Sequence, residues 1–425
     1  MRDLFVIIGS LLIAALVAAF AVPRFIDWTP YKGEIEKRIA AATGLELKLV
    51  GPIKIELLPR LSLEAEDVTL DTKGMRLSAA RLGLELSPTS LLGGDPHIVR
   101  AELDNGVVKL PTEASQDPAA VLMGLLPKGD HLLLIDALSL DTVAIELDGA
   151  AAPTVMIDHG EANLPAREAP LRLTAKGKFA GLRGRGQLVI AAPRAGGKSH
   201  LAIAFDADGG TETRSWRLTF DGEAVKKGMS PVAVDGALVL AQGPRGAPGA
   251  AGSPNKDAAL WRMQAKAHGE LRSLRFDDVE ISRERAEALR LSGKAGLDLS
   301  DKPRLTLDLS ARRLVLDPLI GRTAQGAGGR TAPSIDQAVG ALAASLTAAL
   351  PAALTVEFDI GSESVELAGE SFERFRIKGV ERADALVISS LDASWVGRGA
   401  LAFSGSGSPK RGEINGHVEV KAEDV

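Results

Sequence analysis

From Leu45 onward aliphatic residues return at every second position in short runs, and such runs gather on one face only when the backbone is extended. Leu45, Leu47 and Leu49 alternate with Glu46 and Lys48. After Gly51-Pro52, Ile53, Ile55 and Leu57 alternate with Lys54 and Glu56, so the two runs are expected to pair as a hairpin. The rhythm returns at Leu61 and Leu63, at Leu82, Leu84 and Leu86, and at Val143, Ile145 and Leu147. Further on it continues through Leu201, Ile203 and Phe205, through Trp216, Leu218 and Phe220, and through Val356, Phe358 and Ile360. Clusters of Gly, Asp, Asn and Pro separate the runs at intervals of about 10 to 15 residues, the spacing of an antiparallel meander. Strand and long helix never settle into alternation, which argues against a doubly wound α/β enzyme fold. The expected fold is mainly β: an N-terminal transmembrane helix, a short amphipathic helix, then an extended twisted antiparallel sheet forming an open groove, with one or two further short helices.

The segments that break the rhythm set the domain plan. Leu4 to Val22 is 19 residues without a charge, long enough at 1.5 Å per residue to span about 29 Å of hydrocarbon. Leu4, Ile7, Leu11, Leu16 and Phe20 represent this anchor. Ala19-Phe20-Ala21 also fits a cleavable signal peptide, but the apolar run exceeds the usual signal core, so an uncleaved anchor is the favoured reading. Thr29 and Pro30 open a short amphipathic helix with Tyr31, Ile35, Ile39 and Ala42 on one stripe, ended by Gly44. Asp117-Pro118 begins a second short helix through Leu126, and Ser334 to Gln337 begins a third, read as residues 335–350. Linkers fall at 243–257, read as a flexible loop, and at 321–333. The regions are therefore 1–22, 23–114, 115–320 and 321–425.

Recognisable site chemistry is sparse. There is no cysteine, so disulfides, Cys-ligated metals and thiol catalysis are excluded. The six histidines are scattered without metal-ligand spacing, and a net charge of −5 argues against nucleic acid as a partner. Gly405-Ser406-Gly407 falls after a strand pattern but lacks the glycine two residues before the serine that a nucleophile elbow needs. Asp277-Asp278 and Glu64-Ala65-Glu66-Asp67 are read as solvated strand faces or turns. No catalytic, metal or cofactor site is assigned, and the chain is read as a non-enzyme.

What remains is the apolar face itself. It must be covered by a second sheet, by closure into a barrel, or by bound hydrocarbon. Aromatics make up only 4% of the chain, which tilts the expectation toward a smooth aliphatic lining. The candidate lining residues are Leu45, Leu47, Leu49, Ile53, Ile55, Leu57, Leu82, Leu84, Leu86, Val143, Ile145 and Leu147.

Phe25 to Leu70 and Arg81 to Leu92 carry a resemblance. Asp27-Trp28 with Tyr31, Thr43-Gly44, Gly51, Leu58-Pro59 and Glu66-Asp67-Val68 fall in the order found in AsmA-like proteins of Gram-negative envelopes, which are related to chorein-type bridge lipid transfer proteins. The resemblance implies an inner-membrane, single-pass protein with its body in the periplasm. It implies a sheet that holds acyl chains in an open groove, with phospholipid as partner and phospholipid transport or outer-membrane homeostasis as role. The alternative is a periplasmic scaffold that influences outer-membrane protein assembly without lipid transfer. The strand pattern running to Asp424-Val425 leads to the expectation that this C-terminal sheet end meets outer-membrane or other envelope proteins, a membrane, or further sequence.

Overall fold

The computed structural model describes residues 28–43, 46–56, 60–72, 75–87, 97–110, 134–147, 155–163, 170–179, 182–192, 197–208, 214–225, 232–244, 261–270, 272–283, 290–299, 303–315, 354–367, 370–382, 385–395, 399–408 and 413–422. The anchor residues Leu4, Ile7, Leu11, Leu16 and Phe20, and the helices expected near 117–126 and 335–350, lie outside them. Among the described residues no helix is long and apolar enough to cross a membrane. The chain divides into two compact units, Met1–Asp208 and Gly209–Val425.

The first unit opens with a 3-10 turn, Thr29–Tyr31, leading into helix α1, Lys32–Thr43. Its strands are β1 (Glu46–Leu49), β2 (Ile53–Glu56), β3 (Leu61–Thr72), β4 (Met75–Leu86), β5 (His97–Leu110), β6 (Leu134–Leu147), β7 (Val155–Asn163), β8 (Leu171–Phe179), β9 (Leu182–Ile190) and β10 (Lys198–Asp208). The second unit contains β11 (Arg214–Val225), β12 (Ala233–Pro244), β13 (Trp261–Glu270), β14 (Ser273–Arg283), β15 (Arg290–Asp298) and β16 (Arg304–Val315). It continues with β17 (Thr355–Leu367), β18 (Glu370–Arg382), β19 (Ala385–Trp395), β20 (Gly399–Ser408) and β21 (Glu413–Ala422).

Two features of the expected topology are corrected. The first is the hairpin of the runs at 45–49 and 53–57. Strands β1 and β2 both pair antiparallel with β3, Leu49 opposite Val68 and Ile53 opposite Ala65, so they form one interrupted strand. Gly51-Pro52 is a kink within that line rather than a reversal. The amides of Val50 and Gly51 still donate to the carbonyls of Asp67 and Glu66, and Glu66 donates back to Pro52. A Cβ on Gly51 would lie 2.5 Å from the Glu66 carbonyl oxygen, so glycine is what permits the close approach.

The second correction concerns the all-antiparallel sheet. In each unit one neighbouring pair is parallel: β5 with β6, His97 opposite Leu134, and β16 with β17, Arg304 opposite Thr355. Parallel neighbours need a crossover of roughly a dozen residues or more. The chain between Leu110 and Leu134, and between Val315 and Thr355, exceeds that length.

Within the strands, five non-glycine residues hold a positive φ near 50°: Asp67, Asn105, Thr142, Asp278 and Arg374. All five side chains are exposed. Each sits in a place where two successive residues face water, so the buried series takes a step of three: Ala65 to Val68, Leu103 to Gly106, Leu140 to Val143, Phe276 to Val279. In the first unit the irregularity crosses five neighbouring strands at one level, through Asp67, Ala80, Asn105, Thr142 and Asp158. The residues beside that line are among the most buried of the unit, Ala65 at 0% exposure and Val143 at 3%.

Helix α1 stands against β1. The Glu36 carboxylate accepts the Leu49 amide at 2.7 Å, and Lys32 Nζ donates to the Val50 carbonyl at 2.8 Å. Ile35 packs on the apolar cluster below, whereas Tyr31, expected on the same stripe, is exposed and lies against Trp28.

Candidate functional site

In-register partners on neighbouring strands point to the same face, so the pairing turns alternation along each strand into rows across it. One row of the first unit runs Leu63, Leu84, Ala101, Leu138, Ala162, Leu173. The next runs Ala65, Leu82, Leu103, Leu140, Gly160, Ala175. The face is thus a continuous aliphatic strip perpendicular to the strands. Among the described residues no pairing joins β1 to β10 or β11 to β21, so neither meander closes on itself.

The proposed lining residues occupy this strip. Leu49 and Ile53 are buried in a cluster with Leu63, Ala65 and Val68, and Leu47, Ile55, Leu82 and Leu84 pack on its margin. Val143 is buried in a second cluster with Ala79, Leu103, Ile157 and Ala175, which Leu82 and Ile145 border. Leu86 continues the face opposite Leu61, and Leu147 stands in register with Leu110. Leu45 and Leu57 lie outside the described residues. The arrangement is graded: the middle is shielded, while Leu47, Ile55, Leu82, Leu84, Leu86 and Ile145 are half-buried.

Strand β5 had escaped the sequence reading, although Ile98, Ala101 and Leu103 are all buried in it. Its alternation slips twice, at Val99 and at Asn105, so no strict period of two survives. The available signal was the acidic residue before each slip: Glu66-Asp67-Val68, Asp104-Asn105-Gly106, Asp141-Thr142-Val143 and Asp277-Asp278-Val279.

The opposite face is charged. Arg81 donates to Glu64 at 2.9 Å, Arg76 to Asp71 at 2.7 Å and Lys266 to Asp278 at 2.7 Å. His159 lies 2.7 Å from Asp141, and this hydrogen bond raises its pKa above the ordinary value. Asp359 is gripped by two nitrogens of Arg376 at 2.9 and 2.7 Å, with Lys378 at 3.0 Å. These bonds, the Arg376 pair foremost, hold its pKa down to about 2.

The second unit lines its apolar face differently. Phe372 is buried with Leu314, Val365, Leu386 and Ile388, and Trp261, Phe358, Phe375, Trp395 and Phe403 pack around them. Several rings cover glycines. The Phe220 Cζ sits 2.9 Å from where a Cβ on Gly236 would stand, and Phe403 lies in the same way over Gly405 and Gly416. A ring laid over a strand glycine restores the missing side-chain packing. Gly405-Ser406-Gly407 is therefore the interior of β20, not a segment after a strand. A depression of about 310 Å³ near β18 to β21 mixes Arg374 and Lys421 with Asp392 and Glu419, and its balanced charge specifies no ligand.

The fold and its face define a class: open β-meanders, each with one long apolar face and one face of ion pairs. Residues 1–116 match the model of the AsmA family, so the N-terminal region is AsmA-like, as its sequence order indicates. Comparison with curated proteins gives no match, and neither does comparison with solved structures.

Proposed function

We propose that the apolar strip binds lipid acyl chains, and that the protein takes part in phospholipid transport or outer-membrane homeostasis from an inner-membrane anchor with its body in the periplasm. The observation that carries this reading is the graded strip: aliphatic rows continuous across β3 to β8, with half-buried leucines and isoleucines along the margins. Each methylene moved from water onto such a surface contributes about 0.8 kcal/mol, so a chain can be held by many weak contacts without a fixed polar site. The AsmA match over residues 1–116 and the uncharged run Leu4 to Val22 support the placement. Photo-crosslinkers at Leu82, Leu84 and Ile145 in living cells should recover phospholipid. Combined replacement of half-buried Leu47, Leu84 and Ile145 by Asp should abolish recovery while membrane association persists. Unchanged recovery would remove the proposal.

A second reading rests on β21. Its residues 415–421 are all exposed, Val418 and Val420 by more than half, and its described pairing is with β20 alone. Such an edge can template another strand. This favours a scaffold that engages an envelope protein there. Lipid mass spectrometry of the purified chain separates the two: a stable, lipid-free protein favours the scaffold.

A further inference from the structure

At one end of the second unit's apolar face the rows change character. Phe220, Leu238 and Ala265 form one row, and Leu218, Leu240, Met263 and Ile281 the next. The row beyond is Trp216, Gln242, Trp261 and Arg283, each opposite the next in register. The tryptophans stand where an aliphatic surface meets polar groups, a position that suits an amphipathic ring.

Two polar atoms in this row, Gln242 Oε1 and Arg283 Nη1, lack partners. Gln242 is only 7% exposed, and its Oε1 accepts no hydrogen bond. The buried Nη1 of Arg283 donates none, while its guanidinium carbon lies 5.6 Å from the centroid of Trp261. An acceptor and a cationic donor left unsatisfied in a shielded place destabilise the fold unless something supplies their complements. The missing group must accept from a guanidinium and donate to an amide oxygen. It must also lie at the end of an aliphatic strip. The backbones of β12 and β14 stand about 10 Å apart, two strand spacings, a span that the long Arg283 side chain shortens.

We infer that this row holds the polar head of a phospholipid, with Arg283 on the phosphodiester and Gln242 accepting from a hydroxyl or ammonium of the head, while the acyl chains lie on the rows behind it. Guanidinium is suited to phosphate oxygens, which it meets with charge-assisted bonds. The inference rests on the acyl-binding reading above and adds selectivity to it.

The test exposes the full-length purified chain to vesicles of equal parts phosphatidylethanolamine, phosphatidylglycerol, phosphatidylcholine and diacylglycerol, then identifies retained lipid by mass spectrometry. The wild type should retain phospholipid over diacylglycerol by about tenfold, a difference of about 1.4 kcal/mol. Arg283→Met keeps an apolar stem over Trp261 and should bring that ratio near one with total acyl retention unchanged. Arg283→Lys should keep most of the preference, and thermal melts of the variants verify folding. Gln242→Leu should erase discrimination against phosphatidylcholine, whose head has no donor, and leave the phosphate preference intact. Equal wild-type retention of diacylglycerol and phospholipid would overturn the head site but spare the acyl strip; no lipid at all would overturn both. An unchanged ratio in Arg283→Met, or displacement of the phospholipid by millimolar inorganic phosphate, would also overturn it, the latter by reassigning the row to the free anion.

Discussion

The two units solve the same problem with different side chains. Both are meanders with a single parallel pair, yet the first covers most of its apolar face with Leu, Ile, Val and Ala and adds the Phe179–Phe205 ring pair at β8 to β10, whereas the second spreads Phe220, Phe276, Phe358, Phe372 and Phe403 across its face. The first aligns its irregularities along one shared line through Asp67, Asn105 and Thr142; in the second the positive-φ residues are Asp278 and Arg374, on strands β14 and β18. Low aromatic content therefore describes the chain only as an average. In the first unit the irregularities line up at one level across five strands, while in the second the register shifts are spread over β13 to β15 and β18 to β20, and in both units rings lie over strand glycines.

The strongest challenge to that contrast is a buried charge in each unit. Val143→Asp and Val365→Asp place a carboxylate where exposure is 3% and 1%, without a basic partner, and should each cost roughly 3–5 kcal/mol. Limited proteolysis should show Val143→Asp loosening the first unit and Val365→Asp the second; identical cleavage patterns would dissolve the distinction.

A glycine pair sharpens the comparison at a smaller scale. On Gly222 a Cβ would stand 2.3 Å from the Asp235 carbonyl oxygen, whereas on Gly83 its nearest contact is ordinary, 3.5 Å from the Glu102 Cβ. Gly222→Ala should destabilise by about 1–3 kcal/mol, and Gly83→Ala should be neutral or stabilise by a few tenths to about 1 kcal/mol. Chemical denaturation measures both. Thr142 at φ 53° is the costliest of the positive-φ residues, being β-branched. Thr142→Gly should raise stability by up to about 1 kcal/mol through relief of backbone strain.

The smallest effects are electrostatic and differ in sign. Asp359 in the second unit has a folded pKa of about 2 against an ordinary 3.8, so its contribution is present above the ordinary value and is lost as pH falls through the folded one. Arg376 is largely exposed, which keeps Asp359→Asn within about 1 kcal/mol at neutral pH. The difference from wild type should vanish near the folded value. His159 in the first unit behaves oppositely: its raised pKa stabilises the fold below the ordinary 6.5, and the contribution disappears as pH rises through the folded value. Denaturation midpoints across pH should show the two trends separately; a common direction would refute the assignment.

Much of the first unit was legible because alternation is local. Leu82, Leu84 and Val143 were placed on one apolar face from spacing alone, and they lie there. The shared strand β3 was not legible, since Gly51-Pro52 carries the chemistry of a turn and only the partner's register shows that the chain continues straight. Parallel pairing of β5 with β6 was hidden for a different reason: nothing in either strand encodes the direction of its neighbour. The slips at Asn105 and Thr142 defeat a strict period of two, although the repeated acid before each marks them once the backbone is known. The roles of Gln242 and Arg283 were invisible in the sequence because neither belongs to a motif; register alone brings them into one row.

The carboxylate of Glu36 and the ammonium of Lys32 occupy backbone groups at Leu49 and Val50 that another strand would otherwise claim. Helix α1 thereby acts as a stopper. Another strand seeking to pair alongside β1 would therefore first have to displace these two side chains.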